Sequence, residues 1–279
     1  KKIFENNFFN MAPADNGLSL GAIGFYLLKF KKKNFKLNKY GLTPFLGPSF
    51  SQEEVIKIIS KFNLKYEIPR NLHYDIAKNI SKRKIVGVFN GRAEFGQRSL
   101  GNRSILADPR SKASKTRLNL LLKKRDWFMP FAPAVIDKDF EKYFPNQHQS
   151  YYMQVTNQIK NNKLSKKIPS AVHVDGSCRT QLVEKKINNN FWNIINNFKK
   201  ITKLPIVLNT SFNRHGISTI SNPRQAIEHL LEGCIDVLYI NGLKIKSKLG
   251  AKKLKEDMNF INTEKNLLKK ENLSWYHKN

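Results

Sequence analysis

The chain has 279 residues, 40% hydrophobic and 25% charged, which supports a packed core and excludes wholesale disorder. No apolar run reaches the ~20 residues a membrane helix needs, so a transmembrane reading is excluded. Lys and Arg number 50 against 21 Asp and Glu, a formal net charge of +29 at pH 7.

Met11 to Gly17 reads as a loop that opens a helix from Leu18 to Phe30. Its small residues, Ser19, Gly21, Ala22 and Gly24, suit close packing against a neighbour. Gly41 to Ser49, rich in Pro and Gly, reads as a linker. Ser51-Gln52-Glu53-Glu54 has the spacing of a capping box and predicts an amphipathic helix through Val55, Ile58, Ile59 and Phe62. A further helix is predicted over Leu72 to Arg83. Short apolar strands are predicted at Ile85 to Phe89, Ala171 to Val174, Pro205 to Leu208 and Asp236 to Ile240. Helices are expected between them near Thr116 to Lys124, Phe191 to Ile201 and Pro223 to Glu232. The last has Asn222 as N-cap, Pro223 in its first turn and Gly233 past its end. Strands alternating with helices from about Lys84 to Lys246 predict one α/β domain.

The charge has two readings. Scattered lysines among many Asn, Ile and Phe are what an AT-rich genome writes onto a surface, whereas a basic stripe would serve nucleic acid. The arginines differ. Arg92, Arg98, Arg103 and Arg110 share one segment of a chain that otherwise prefers Lys. A planar guanidinium grips phosphate or carboxylate bidentately, which an ammonium cannot copy. Gly91 to Arg110 therefore reads either as an anion site or as a surface loop with solvated arginines. His173 to Gln181 sits at a predicted strand end, and Asp175 two positions on shares the His173 face of an extended strand. His173 is then either a core residue or half of an oriented pair. Asn209 to Asn213 crowds amides and hydroxyls at another strand end, as a turn cap or as a binding wall. Ser211 lacks nucleophile-elbow glycines. Asp15 alone reads as an Asx turn or helix cap. Cys178 and Cys234 form no CxxC pair, and a reducing cytoplasm is the expected compartment. The chain begins at Lys1 with no initiator Met and no signal-peptide layout, and a piece of something longer is expected.

Taken in order, these segments resemble the carbamoyltransferase family that includes the nodulation and antibiotic-tailoring O-carbamoyltransferases. The resemblance runs over about residues 4 to 245. It is carried by Gly91 to Arg110, Phe128-Met129-Pro130-Phe131-Ala132-Pro133, His173 to Gln181 and Asn209 to Asn213, followed by Asp236 to Ile240. It implies an α/β, YrdC-like mixed sheet with helices at residues 46–248. Residues 1–45 would be the C-terminal remnant of a Kae1-like domain of the actin/Hsp70-type fold, and 249–279 a basic helical or flexible tail. The implied activity is O-carbamoyl transfer, in which carbamoyl phosphate is activated with ATP as carbamoyl-adenylate and passed to a hydroxyl-bearing small-molecule acceptor. Arg98, Arg103, His173 and Asp175 are implied as catalytic, and Arg92, Asn102, Ser104, Arg179, Asn209, Ser211 and Asn213 as substrate-binding. Asn16 and Gly17 match a nucleotide-binding turn. Asp15 matches an aspartate that ligates iron, a metal expected only with a Kae1-like domain or subunit supplying two histidines. Two positions depart from the family pattern. Met129 stands where many relatives carry Arg, and Ile217 where an acidic residue is usual. The alternatives are a basic YrdC-like RNA-binding module and an inactive fragment.

Overall fold

A computed structural model describes residues 10–32, 43–126, 128–159 and 162–270. Of the segments read from the sequence, residues 1–9 and 33–42 of the N-terminal part, Gly41 of the linker and 271–279 of the tail lie outside the described residues.

A 3-10 turn at Asp15–Gly17 leads into α1 (Leu18–Lys29), followed by α2 (Gln52–Lys61), β1 (Tyr66–Glu67), α3 (Leu72–Ser81), β2 (Val86–Phe89) and β3 (Arg103–Ala107). Next come α4 (Lys112–Arg117), which runs into a π-helical turn at Leu118–Lys123, then β4 (Ala132–Ile136), α5 (Asp137–Tyr143), β5 (Asn157–Gln158) and α6 (Asn162–Lys167). The remainder is β6 (Ser177–Cys178), β7 (Gln181–Val183), α7 (Asn189–Thr202), β8 (Ile206–Ser211), α8 (Pro223–Leu231), β9 (Val237–Ile240), β10 (Leu243–Ile245) and α9 (Lys248–Lys270). Eight strands form one mixed sheet in the order β1-β10-β9-β2-β3-β8-β4-β7, and β5 pairs with β6 apart from it. Only the β2–β9 and β4–β7 neighbours run parallel.

The central strands are buried along their whole length, so the sheet must be covered on both faces. On β2, Val88 faces Ile76 of α3 and Ile194 of α7. Phe89, on the opposite face, meets Phe50 with ring centroids 5.9 Å apart. Both predicted caps form. Glu54 N–H donates to Ser51 Oγ at 3.1 Å while Ser51 N–H donates to the Glu54 carboxylate at 2.6 Å. Asn222 and Gln225 close the same box on α8. Each such cap stabilises its helix by about 1 kcal/mol.

The structure corrects three expectations. Ala171 to Val174 is a turn rather than a strand, because His173 N–H and Ser177 O close a tight reversal at 2.8 Å. The helix expected at Thr116 starts earlier, at Lys112, and finishes as the π-helical turn. The linker is a strap: Gly47 N–H donates to Ala93 O and Ala93 N–H to Pro48 O, both at 2.9 Å, and Phe95 N–H donates to Pro44 O at 2.7 Å.

The N-terminal residues also dock. Met11 and Ala12 are buried with Leu100, Ala132, Tyr152 and Met153 in a small second core. Gly96 permits the approach, since a Cβ there would lie 2.4 Å from Met11 O. Beyond Gly17 the packing thins: Leu20 is partly buried against this second core, and α1 has no fully buried residue. Leu18, Ile23, Phe25, Tyr26, Leu28 and Phe30 are exposed. Among the described residues, no helix is long and apolar enough to cross a membrane.

Candidate functional site

Register gathers the polar strand ends at one edge of the sheet. Phe89 lies opposite Arg103, Ser104 opposite Ser211, Ala132 opposite Asn209, and Ala134 opposite Gln181. The loop from Gly91 to Asn102 folds over this edge around one carboxylate. Glu94 accepts backbone N–H groups from Leu100 at 2.7 Å, Asn102 at 2.8 Å and Arg103 at 3.2 Å. Burial raises its pKa despite these donors.

Most of the expected anion cradle holds backbone instead. Arg103 is fully buried. Its guanidinium donates to the carbonyls of Asn90 (2.9 Å), Gly91 (3.0 Å), Pro48 (3.1 Å) and Asn102 (3.3 Å), and stacks on Phe89 at 3.6 Å. Burial, against the attraction of Glu94, brings it down to about 10. Arg92 donates to Leu46 O at 2.6 Å and Gly47 O at 3.1 Å, tying down the strap. Asn102 donates to Arg92 O at 2.7 Å and accepts from Asn188 at 3.0 Å. Ser104 Oγ accepts the Gly101 N–H at 2.9 Å. A five-donor fork satisfies a ring of carbonyls as well as it satisfies a phosphate, and the residue type alone does not separate the two.

Arg98 is the member of that loop that turns toward open space. It meets Arg125 and Arg179 around a pocket of about 80 Å³ walled by Ser99, Asn209 and Ser211. This opens into a cleft of about 600 Å³ that adds Lys123, Asn213 and His215. Among the described residues no carboxylate lines either space. Arg98 and Arg179 have no hydrogen bond or ion pair among the described residues. Burial and the charges of Arg98 and Arg125 bring Arg179 down to about 10. Buried polar atoms without partners ring the pocket: Ser99 Oγ, Arg179 Nε and Asn209 Oδ1. Like charges held together without counter-charge raise the free energy of the empty pocket, and a bound anion relieves it.

Arg125 and Lys123 escaped the sequence reading. Arg125 is fixed by Asn119 Oδ1 at 2.8 Å and Pro130 O at 3.2 Å, with Phe131 4.8 Å beneath its guanidinium. It lies four residues before Met129 in the sequence. The signal was present as Lys123-Lys124-Arg125 immediately before the Phe128 to Pro133 motif, again Arg in a Lys-biased chain. Lys123 is buried, and its Nζ donates to Asn213 Oδ1 (2.6 Å), Ser211 O (2.7 Å), Asn213 O (2.8 Å) and Ser211 Oγ (3.1 Å). Ser211 and Asn213 are thus joined by an ammonium, with a further 2.5 Å hydroxyl-to-amide bond between them. Burial and Arg125 push Lys123 down to about 7. An anion in the cleft pulls it back up, so binding takes up a proton around and above neutrality. Affinity for a phosphate-bearing ligand should therefore fall as pH rises through about 7. Calorimetry in two buffers of different ionisation heat counts the protons, and zero uptake above neutrality would contradict this.

His173 and Asp175 lie in a turn beside a separate cleft and are bridged rather than paired. Ser177 Oγ is 3.0 Å from His173 Nδ1 and donates to Asp175 Oδ1 at 2.7 Å. Burial lowers the His173 pKa, with Asp175 opposing and Arg179 and Lys115 adding to the shift.

The N-terminal assignments stand apart. Asp15 is exposed, and Asn16 Oδ1 is buried without a partner. Among the described residues no three His, Cys, Asp or Glu side chains converge. One exposed carboxylate does not fit a metal, which needs about three protein ligands or more.

The family described as Carbamoyltransferase C-terminus matches residues 77–247. The chain is 36% identical over 251 residues to the uncharacterized protein MJ1058 of Methanocaldococcus jannaschii, covering 88% of this chain and 41% of that one. It is 33% identical over 251 residues to nodulation protein NolNO of Sinorhizobium fredii, covering 88% and 37%. With nodulation protein NolO of Bradyrhizobium diazoefficiens the identity is 32% over 255 residues, covering 88% and 45%. The chain thus spans roughly two-fifths of the length of these curated relatives. A solved structure of full-length HypF, in a phosphate- and nucleotide-bound form, overlays 63% of this chain and 22% of its own with TM-score 0.43 and 17% identity.

Proposed function

The chain belongs to the carbamoyltransferase C-terminus family, and on that premise we propose that its arginine pocket joins carbamoyl phosphate and ATP as carbamoyl-adenylate for transfer to an acceptor hydroxyl. The observation that carries this reading is the convergence of Arg98, Arg125 and Arg179 on a space that no carboxylate of the described residues lines. Water displaces phosphate at the carbamoyl carbon, and the resulting carbamate attacks the α-phosphorus of ATP. Pyrophosphate leaves, and the atoms balance. Negative charge builds on phosphate oxygens in both steps. Guanidinium forks already in position stabilise it without reorganisation, and the partly buried setting strengthens each contact.

In this reading Arg98 and Arg179 grip the transferring oxyanions, because they have no other partner among the described residues. Arg125, clamped by Asn119 and Pro130, sets the opposite wall. Lys123 holds Ser211 and Asn213 in place and adds a charge that depends on pH. Asn209 offers its free Oδ1 to the carbamoyl NH₂, while its Nδ2 is held by Ser99 O at 2.9 Å and Gln181 Oε1 at 2.7 Å. The acceptor, its part of the enzyme and any metal belong to the whole protein.

The test is ATP–pyrophosphate exchange by this chain. Label should enter ATP only when carbamoyl phosphate is present. Exchange that ignores carbamoyl phosphate, or none in a folded chain that binds both ligands, would sink the proposal.

A further inference from the structure

The cleft beside His173 lies outside the arginine pocket. It measures about 360 Å³ and is lined by Lys112, Lys115 and Thr116 on one side and Pro169, Val172 and His173 among others on the other. Residues three and four apart on a helix share a face, so α4 brings Lys112, Lys115 and Thr116 to one wall. Like charges at that spacing repel. Neither lysine has an ion pair among the described residues, and no carboxylate lines the cleft.

The hydrogen-bond chain at the 173–177 turn fixes the histidine tautomer. Asp175 is held ionised, because the Ser177 hydroxyl and backbone N–H both donate to it, and it can then only accept. The single Ser177 hydroxyl hydrogen goes to Asp175 Oδ1, so the 3.0 Å contact with His173 Nδ1 is made by the ring N–H. Nε2 is left with a lone pair, buried and without a partner. His173 is itself among the residues that line the cleft, so an oxyanion seated there lies against the ring. The groups facing the ring are Asp175 on its own turn, Lys115 on α4 and Arg179 ahead of β7. Burial and the charges of Lys112 and Arg125 lower the Lys115 pKa.

The geometry points to a second anion subsite here, in which Lys112, Lys115 and His173 hold phosphate or pyrophosphate. The choice of these two oxyanions rests on the proposed function, since they are the products it releases. The existence of the site rests on the cleft alone.

Inorganic pyrophosphate and inorganic phosphate are titrated separately into the full chain by calorimetry. Wild type should show two sites for at least one of them. The Lys112→Ala/Lys115→Ala variant should lose one, by about tenfold or more, and retain the other. Both lysines are partly or fully exposed, so this variant should fold, and circular dichroism verifies it. His173→Gln should weaken the same site and no other. A lysine variant with wild-type stoichiometry and affinity for both anions would overturn the inference, as would a wild type with a single site that Arg98→Ala abolishes. The two failures are distinguishable. Exchange activity with an unaffected lysine variant leaves the reaction standing and removes the subsite. Two intact anion sites without exchange do the reverse.

Discussion

Arg103→Ala should destabilise the fold by about 3–5 kcal/mol, the range for stranding partners of a buried charged group. The truncation removes the donors to four backbone carbonyls, at Asn90, Gly91, Asn102 and Pro48, and uncovers the ring of Phe89. Each stranded acceptor costs about 1–3 kcal/mol where water cannot replace the donor, and a cavity adds to it. The bonds join the end of β2, the start of β3 and the strap, so their loss loosens the very edge on which the pocket is built. Arg103→Lys keeps the charge but cannot span four carbonyls in a plane, and should recover little. Denaturant unfolding of the variants is the measurement. A wild-type midpoint combined with lost carbamoyl phosphate binding would return Arg103 to the anion site.

Arg98 and Arg103, five residues apart, mark the limit of what a sequence can say. Gly91 to Arg110 reads from the sequence as one segment bearing Gly and Arg, and in the structure β3 begins within it at Arg103. Which guanidinium turns inward depends on where Pro48 and Asn90 place their carbonyls, and that is tertiary information. β3 was missed for a related reason, since a strand opening Arg103-Ser104 does not look like the centre of a sheet until Glu94 and the strap supply partners for its polar ends. Helix ends were readable because Ser51, Glu54, Asn222 and Gln225 act within one turn of chain. Ala171 to Val174 has the alternation of a strand, yet the reversal at Gly176, with φ +79°, leaves no length for one. Lys123 looked like one more lysine in a basic chain. Only burial beside Ser211 and Asn213 distinguishes it.

Arg98→Ala and Arg179→Ala should each weaken carbamoyl phosphate binding by about tenfold or more while leaving stability unchanged or higher. The argument turns on the absence of partners. Neither side chain gives a hydrogen bond or ion pair to the described residues, so truncation strands no acceptor. Arg179 also sits against the charges of Arg98 and Arg125, which is part of what brings it down to about 10. Removing one cation relieves that repulsion, and a group kept at a cost to stability is kept for binding or catalysis. The lost contact is charge-assisted and worth about 1.5–3 kcal/mol, which corresponds to roughly ten- to a hundred-fold in affinity. In the proposed reading the two arginines grip one anion, so the double variant should fall short of the product of the single effects. Arg92→Ala is the internal control: it frees the strap from Leu46 and Gly47 and should cost stability without acting on the pocket's charge. Calorimetry with carbamoyl phosphate and denaturant melts on the same samples decide the matter. If Arg179→Ala binds as wild type does, or unfolds as Arg103→Ala is expected to, the pocket is not the anion site.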